Sequence, residues 1–338
     1  MLNIAFISGG KNIPSETYRL KVLSDYLYRH DVRLFEFSSI TSKYPPESIL
    51  FRPLWFFAAL AERASYIVRL KGFKALILQR ELISTLPTIE KALLIPKILD
   101  VDDAIYLYKK GLAAKNSAEA SVGVICGNEF LAEKFTKWNK NIEIIPTGVD
   151  VRRMNPVGNR FSTEQRIIGW IGTPSNLKFL DMIADSLVYV LTQMKNVELR
   201  IVTDQKDAIP SRLKPFATFV RWHQGIEFIE VPTWTVGIMP LQDTEWARGK
   251  CAFKMLQYFS AGIPVVTSPV GMNKNILDSE DVGFLAKNSK EWIDALTYIL
   301  SHEKENNLLG RKAREFVELN FDLDIVAKKW INVLERWL

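Results

Sequence analysis

The chain is short of the residues that build disulfide frameworks and metal centres. Cys126 and Cys251 are its only cysteines in 338 residues, which argues against a disulfide scaffold and fits a reducing compartment. Three histidines, His30, His223 and His302, are too few and too scattered for a multi-histidine metal site. No run reaches the roughly 18 consecutive apolar residues that a membrane span needs. The first ten residues are apolar, but they carry no basic leader and no small-residue cleavage site. They read as a buried strand and a glycine turn, not a signal peptide, so a cytoplasmic location is expected. Repeats, low-complexity tracts, zinc-knuckle spacings and RNA-stacking signatures are missing, and no nucleic-acid partner is expected. Neither half carries Gly-x-Gly-x-x-Gly after its first strand, which disfavours a dehydrogenase.

What is present describes a folded two-domain protein. Hydrophobic residues make up 48% and charged residues 24% of the chain, and the length suits two domains of roughly 150 residues. The formal charge of +6, from 44 basic and 38 acidic residues, suits an anionic ligand or an anionic membrane surface. Short apolar strands alternate with helical patterns throughout, the signature of parallel sheets covered by helices. Strands are expected at 4–8, 33–37, 75–79, 97–101, 122–126 and 143–145, then at 166–172, 197–202, 236–239, 264–267 and 283–285. Helices are expected at 15–29, 54–70, 111–119, 128–137, 175–194, 249–261 and 288–319. Turn formers at 146–150 and 155–159 mark a linker. The expected division is 1–150, 151–322, and an amphipathic closing helix at 323–338 that crosses back to the first domain. The fold class is therefore α/β, with two doubly wound parallel sheets whose strand C-terminal ends bind ligand.

The segment 236–271 is the most informative. On a helix over 249–261, Lys250, Lys254 and Gln257 stand at i, i+4 and i+7 and share one face, with Arg248 just before it. Cations at a helix N-terminus oppose the macrodipole, at a cost of roughly 0.3–1 kcal/mol each. They are accommodated when an anion sits between them and the free N–H groups of the first turn, and a nucleoside diphosphate is the natural candidate. Spacing alone leaves open a solvated basic face.

The same segment resembles the signature region of family 4 glycosyltransferases, in which a helix leads into a Gly-x-Pro-Val-Val strand and a small-residue loop. Here these are Gly262-Ile263-Pro264-Val265-Val266 and Ser268-Pro269-Val270-Gly271. Ile145-Pro146-Thr147-Gly148-Val149-Asp150 resembles the family's interdomain motif, Gly169-Trp170-Ile171-Gly172 its first C-domain strand and turn, and Asp281-Val282-Gly283-Phe284-Leu285 its late strand. The resemblance implies the GT-B fold: two Rossmann-like domains facing each other across a cleft. It also implies sugar transfer from a nucleoside-diphosphate sugar to a hydroxyl acceptor, with retention, in cell-envelope glycan or glycolipid synthesis, without a metal or other cofactor. By this resemblance Arg248, Gln257, Gly172, Thr173 and Gly271 would bind donor, and Lys250 and Lys254 would neutralise the leaving diphosphate. The family's paired glutamates are missing, because their positions hold Gly249 and Gln257. That departure supports one alternative, a non-catalytic nucleotide-sugar-binding or partner subunit; it weighs against the other, a nucleotide-sugar epimerase on the same fold, which needs carboxylates or a histidine over the sugar.

In the first half, Gly9 and Gly10 follow the first strand, where backbone can approach a donor closely. Arg19 on the next helix either reaches the cleft or is a surface charge. Asp102 and Asp103 end a mid-domain strand. They stand about where members of family 4 place a cleft histidine, and the resemblance implies that they orient or deprotonate the acceptor hydroxyl; a capping role is the alternative, and they are not read as metal ligands. Residues 51–74 interleave Trp55, Phe56, Phe57, Tyr66 and Phe73 with arginines and lysines. This is either a peripheral membrane contact, suited to a lipid-linked acceptor, or a sheet-packing helix with snorkelling arginines.

Overall fold

Two of the strands, Ala75–Gln79 and Lys97–Val101, are buried along their whole length. A strand apolar on both faces belongs in the middle of a parallel sheet covered on both sides. In the computed structural model, which describes every residue except 9–15, 43, 157, 159–160 and 162–163, they take that place. Contacts divide the chain into two units. Unit 1 is Met1–Gly148 with Gly249–Cys251 and Leu323–Leu338, and unit 2 is Val149–Arg248 with Ala252–Asp322.

Unit 1 holds β1 (Leu2–Ile7), β2 (Val32–Glu36), β3 (Ala75–Gln79), β4 (Lys97–Val101), β5 (Gly123–Cys126) and β6 (Ile142–Ile144) in the order β2-β1-β3-β4-β5-β6. Every neighbouring pair is parallel. The closing helix Leu323–Trp337 belongs to this unit, and its Val326, Trp330, Val333 and Leu334 share a core with Ile4, Phe6, Ile98 and Ile125. Gly123 makes room for its end: a Cβ there would stand 2.5 Å from the Trp337 ring.

Unit 2 repeats the plan with β7 (Arg166–Ile171), β8 (Val197–Thr203), β9 (Ala217–Arg221), β10 (Val236–Met239), β11 (Val265–Thr267) and β12 (Gly283–Leu285), ordered β12-β11-β10-β7-β8-β9 and parallel throughout. Its centre is crowded around glycine. A Cβ on Gly169 would stand 1.8 Å from the Trp234 ring, and one on Gly237 would stand 2.3 Å from the Tyr258 ring. Trp234 and Tyr258 meet edge to face at 5.5 Å.

The structure departs from the sequence expectations at several places. The edge strand β9 was not expected, because its partly exposed Ala-Thr-Phe-Val-Arg lacks the continuous apolar run of the central strands. The helix expected over 175–194 is broken into Leu177–Asp181 and Ala184–Gln193. The helices expected over 288–319 are Ser289–Ser301 and Glu303–Asn320, which meet at His302. The helix Gly271–Ser279 was not expected. The helix expected from 249 begins only at Phe253. Ala252 ahead of it is left-handed at φ +52°, and a right-handed helix does not run through such a residue.

Candidate functional site

In a doubly wound sheet the strand order reverses at one point, and the loops there splay apart to leave a crevice for ligand. Unit 2 reverses between β7 and β10, and unit 1 between β1 and β3. Gly172, Thr173 and Lys254 lie at the reversal of unit 2, while Asp102 and Asp103 follow β4, the strand beside β3.

At the end of β7 the chain passes through Gly172 and Thr173 into a turn, Pro174–Asn176, and the helix Leu177–Asp181. Lys254, in the first turn of Phe253–Ser260, lies over this end. Its Nζ is 4.8 Å from the centre of the buried Trp170 ring, a favourable cation–π distance. A Cβ on Gly172 would come within 2.6 Å of that Nζ, so the missing side chain at 172 is what lets the lysine lie there. Gln257, one turn along the same face, is buried. The first turn of this helix carries no acidic residue. Thr173 is exposed, and its hydroxyl accepts from Asn176 Nδ2 at 2.8 Å within the turn. Arg248 is bound by both oxygens of Asp243, at 2.6 and 2.9 Å. Gly271, at φ +53°, opens its helix against the Arg248 backbone, where a Cβ would stand 2.9 Å from Arg248 Cα. Gly271 is thus explained by packing. Alongside, Asn273 Nδ2 donates to Thr267 Oγ1 at 2.8 Å, which donates to Met239 O at 2.8 Å, fixing the ends of β10 and β11 together.

Lys250 is placed otherwise than its spacing suggested. It precedes the helix instead of sharing a face with Lys254 and Gln257, and Gly249–Cys251 packs with unit 1. Asn128 Nδ2 holds the segment by donating to the carbonyls of Gly249 and Lys250 at 3.1 Å each, while its Oδ1 caps Glu129–Phe135 by accepting from Leu131 N. Within unit 1 Gly249 is pressed on Ala104: a Cβ would lie 2.9 Å from Ala104 Cβ. A glutamate at 249 would therefore not fit this packing. Cys251 donates its thiol to Asp102 O at 3.3 Å, and burial raises that thiol to about 12, which removes it as a nucleophile.

Asp102 and Asp103, at the end of β4, are gripped together by Arg80 at the end of β3. Arg80 Nε donates to Asp102 Oδ1 at 2.8 Å and Nη2 donates to Asp103 Oδ2. Arg80 itself is left-handed at φ +65°, an unusual setting for a long side chain. Burial pushes the Asp103 carboxyl above its usual range, with Asp102 adding to the rise and Arg80 and Lys250 opposing it. Among the described residues no group of three or more His, Cys, Asp or Glu side chains could hold a metal ion.

Arg19 is neither a cleft residue nor a surface charge. It is fully buried: Nε and Nη2 bind Asp100 at 2.7–2.8 Å, Nη1 donates to Thr147 Oγ1 at 3.1 Å and Nη2 to Ile145 O at 3.0 Å. It ties its helix to β4 and to the 145–147 turn, a structural role that corrects the expectation. Gly9 and Gly10 lie outside the described residues. Arg80 and Asn128 were missed in the sequence. A charged residue ending the apolar strand 75–79 was the available signal for Arg80, since ligand sites lie at strand C-termini.

Comparison with known proteins shows what the chain resembles. Residues 165–302 match the family described as "Glycosyl transferases group 1". The sucrose-phosphate synthase of Thermosynechococcus elongatus superposes with a TM-score of 0.77 at 16% identity, over 99% of each chain. The chain is a GT-B protein that resembles the group 1 glycosyltransferases. Anabaena Alr3699/HepE, solved with UDP and glucose, gives a TM-score of 0.76 at 12% identity over 99% of this chain and 100% of that one. WaaG, a glycosyltransferase involved in lipopolysaccharide biosynthesis, gives 0.68 at 12% over 98% and 99%. No curated protein matches the sequence. The match to the family falls within the part of this GT-B chain that carries β7 to β12, Lys254 and Gln257.

Proposed function

We propose that this protein is a glycosyltransferase that moves a sugar from a nucleoside-diphosphate sugar to a hydroxyl acceptor, with the donor held by unit 2. The observation that carries the reading is Lys254, laid over Trp170 and Gly172 at the switch point of the very unit that matches the family. Charge builds on the leaving diphosphate as the glycosidic bond breaks. Lys254 and the first-turn N–H groups of Phe253–Ser260 supply preorganised partners for that charge, so no metal is required. Gln257 offers its amide to a ribose or sugar hydroxyl. Asp103, with its carboxyl raised by burial and its position fixed by Arg80, takes the acceptor proton. Lys250 is a second cation, after Arg80, whose charge acts on Asp103. HepE was also solved with UDP-glucose, which makes UDP-sugars the first donors to try. The resemblance to family 4 supports retention and a glycan or lipid-linked acceptor of the cell envelope.

The test is a transfer assay with radiolabelled UDP-sugars. Lys254→Ala and Lys250→Ala should each lower turnover by roughly a hundred- to a thousandfold with an unchanged circular-dichroism spectrum. Near-normal turnover in both would reject the assignment. A second reading, a subunit that binds nucleotide-sugar without catalysis, is favoured by Gly249, where packing leaves no room for the family's glutamate. It predicts donor binding without transfer to any acceptor.

A further inference from the structure

Along residues 49–64 several charged and apolar side chains have exchanged their usual places. The helix Arg52–Ala64 buries Arg63 completely, yet leaves Leu54 71% and Phe57 67% exposed. Arg63 is held inside: Nη2 donates to Thr41 O at 2.8 Å and Nη1 to Glu62 Oε2 at 3.1 Å. Glu62 also faces the protein, accepting from Ile40 N at 2.7 Å and Thr41 N at 2.9 Å. A surface helix in water turns its apolar stripe inward and its charges outward; here Glu62 and Arg63 turn inward while Leu54 and Phe57 stand exposed. Just before it, Ile49, Leu50 and Phe51 are also exposed, Leu50 by 88%.

The apolar face continues into a groove of about 430 Å³ between Pro45, Trp55, Phe56, Leu86 and Lys109. Lys109 brings the 107–112 segment to the rim, where Leu107, Tyr108 and Leu112 are exposed. Lys109 and Lys110 are consecutive left-handed residues, at φ +44° and +58°, an arrangement that costs energy for side chains of this kind. Arg52 stands at the other side, its Nε donating to Pro46 O at 3.2 Å. Glu47 is the exposed carboxylate of this stretch. Three cations rimming an exposed aromatic and aliphatic face complement a layer of phosphates over hydrocarbon. Among the described residues no helix is long and apolar enough to cross a membrane, so the contact is interfacial.

We propose that this face of unit 1 docks on an anionic lipid bilayer, with Leu50, Phe51, Leu54 and Phe57 in the acyl region and Arg52, Lys109 and Lys110 on headgroup phosphates. The inference stands apart from the reading of unit 2. The test is co-sedimentation of the full chain with vesicles of phosphatidylcholine alone or mixed with phosphatidylglycerol. Binding is expected to the mixed vesicles and to weaken with salt. Leu54→Glu with Phe57→Glu should abolish it, both positions being too exposed for the change to unfold the protein. Lys109→Gln with Lys110→Gln keeps the backbone requirement and removes two charges, and should weaken binding by about fivefold per cation. Failure of the wild type to sediment with anionic vesicles, or undiminished binding of the Leu54→Glu/Phe57→Glu variant, overturns the proposal. So does a wild-type dimer that this variant dissociates and that does not sediment with vesicles, since the face would then meet a second copy of the chain.

Discussion

Removing the Arg19 guanidinium should unfold unit 1 more readily, and by an amount that depends on pH. Arg19 and Asp100 have side chains 1% and 0% exposed, so Arg19→Met leaves a carboxylate in the interior without its bonded counter-charge. Breaking one side of a buried pair costs about 3–5 kcal/mol. Asp100 already sits above the usual carboxylate range, raised by burial against the pull of Arg19, and loss of Arg19 raises it further. A carboxyl whose folded pKa exceeds its unfolded value, about 3.9, gives full stability below that unfolded value. The stability is then lost as pH rises through the folded pKa, by about 1.4 kcal/mol per pH unit between the two. The variant should therefore show its whole deficit at about pH 8 and a much smaller one near pH 4. Urea unfolding followed by circular dichroism at a series of pH values measures this. Arg19→Met with Asp100→Leu should regain most of the loss, because no charge is stranded. A deficit under about 1 kcal/mol at pH 8, or one that does not vary with pH, would refute the buried-pair account.

Two further outcomes are expected. Gly169→Ala puts a Cβ 1.8 Å from the Trp234 ring, so it should lower stability by at least about 1–3 kcal/mol, read as a lowered Tm; an unchanged Tm would show that Trp234 can move aside. Arg80→Gln removes a cation that opposes the effect of burial on Asp103, so the acid limb of the pH–rate profile should move to higher pH. A limb that stays in place would show that Asp103 is not the base.

The strands were legible because parallel-sheet strands buried on both faces are short apolar runs, and Ala75–Gln79 and Lys97–Val101 lie where such runs predict. The edge strand Ala217–Arg221 was not, since half-exposed residues dilute the signal. Lys254 and Gln257 keep the shared helical face that their spacing implied. Lys250 does not, because Asn128, distant in sequence, holds the 249–250 carbonyls and Ala252 turns left-handed. Such tertiary contacts leave no periodic trace. Arg19 failed for a related reason: a lone arginine on a helix looks alike whether it faces water or a buried Asp100 eighty-one positions away. The helix at 52–64 showed its composition in the sequence, but which face turns outward only the packing could tell.

The central claim is that unit 2 binds the donor through Lys254 without a metal. It is tested most directly by calorimetric titration of the EDTA-treated protein with UDP, GDP, ADP and their sugar conjugates. The account predicts saturable binding of one nucleotide family, undiminished by EDTA and lost in Lys254→Ala. Binding that needs added divalent cation, or that persists unchanged in Lys254→Ala, would contradict it.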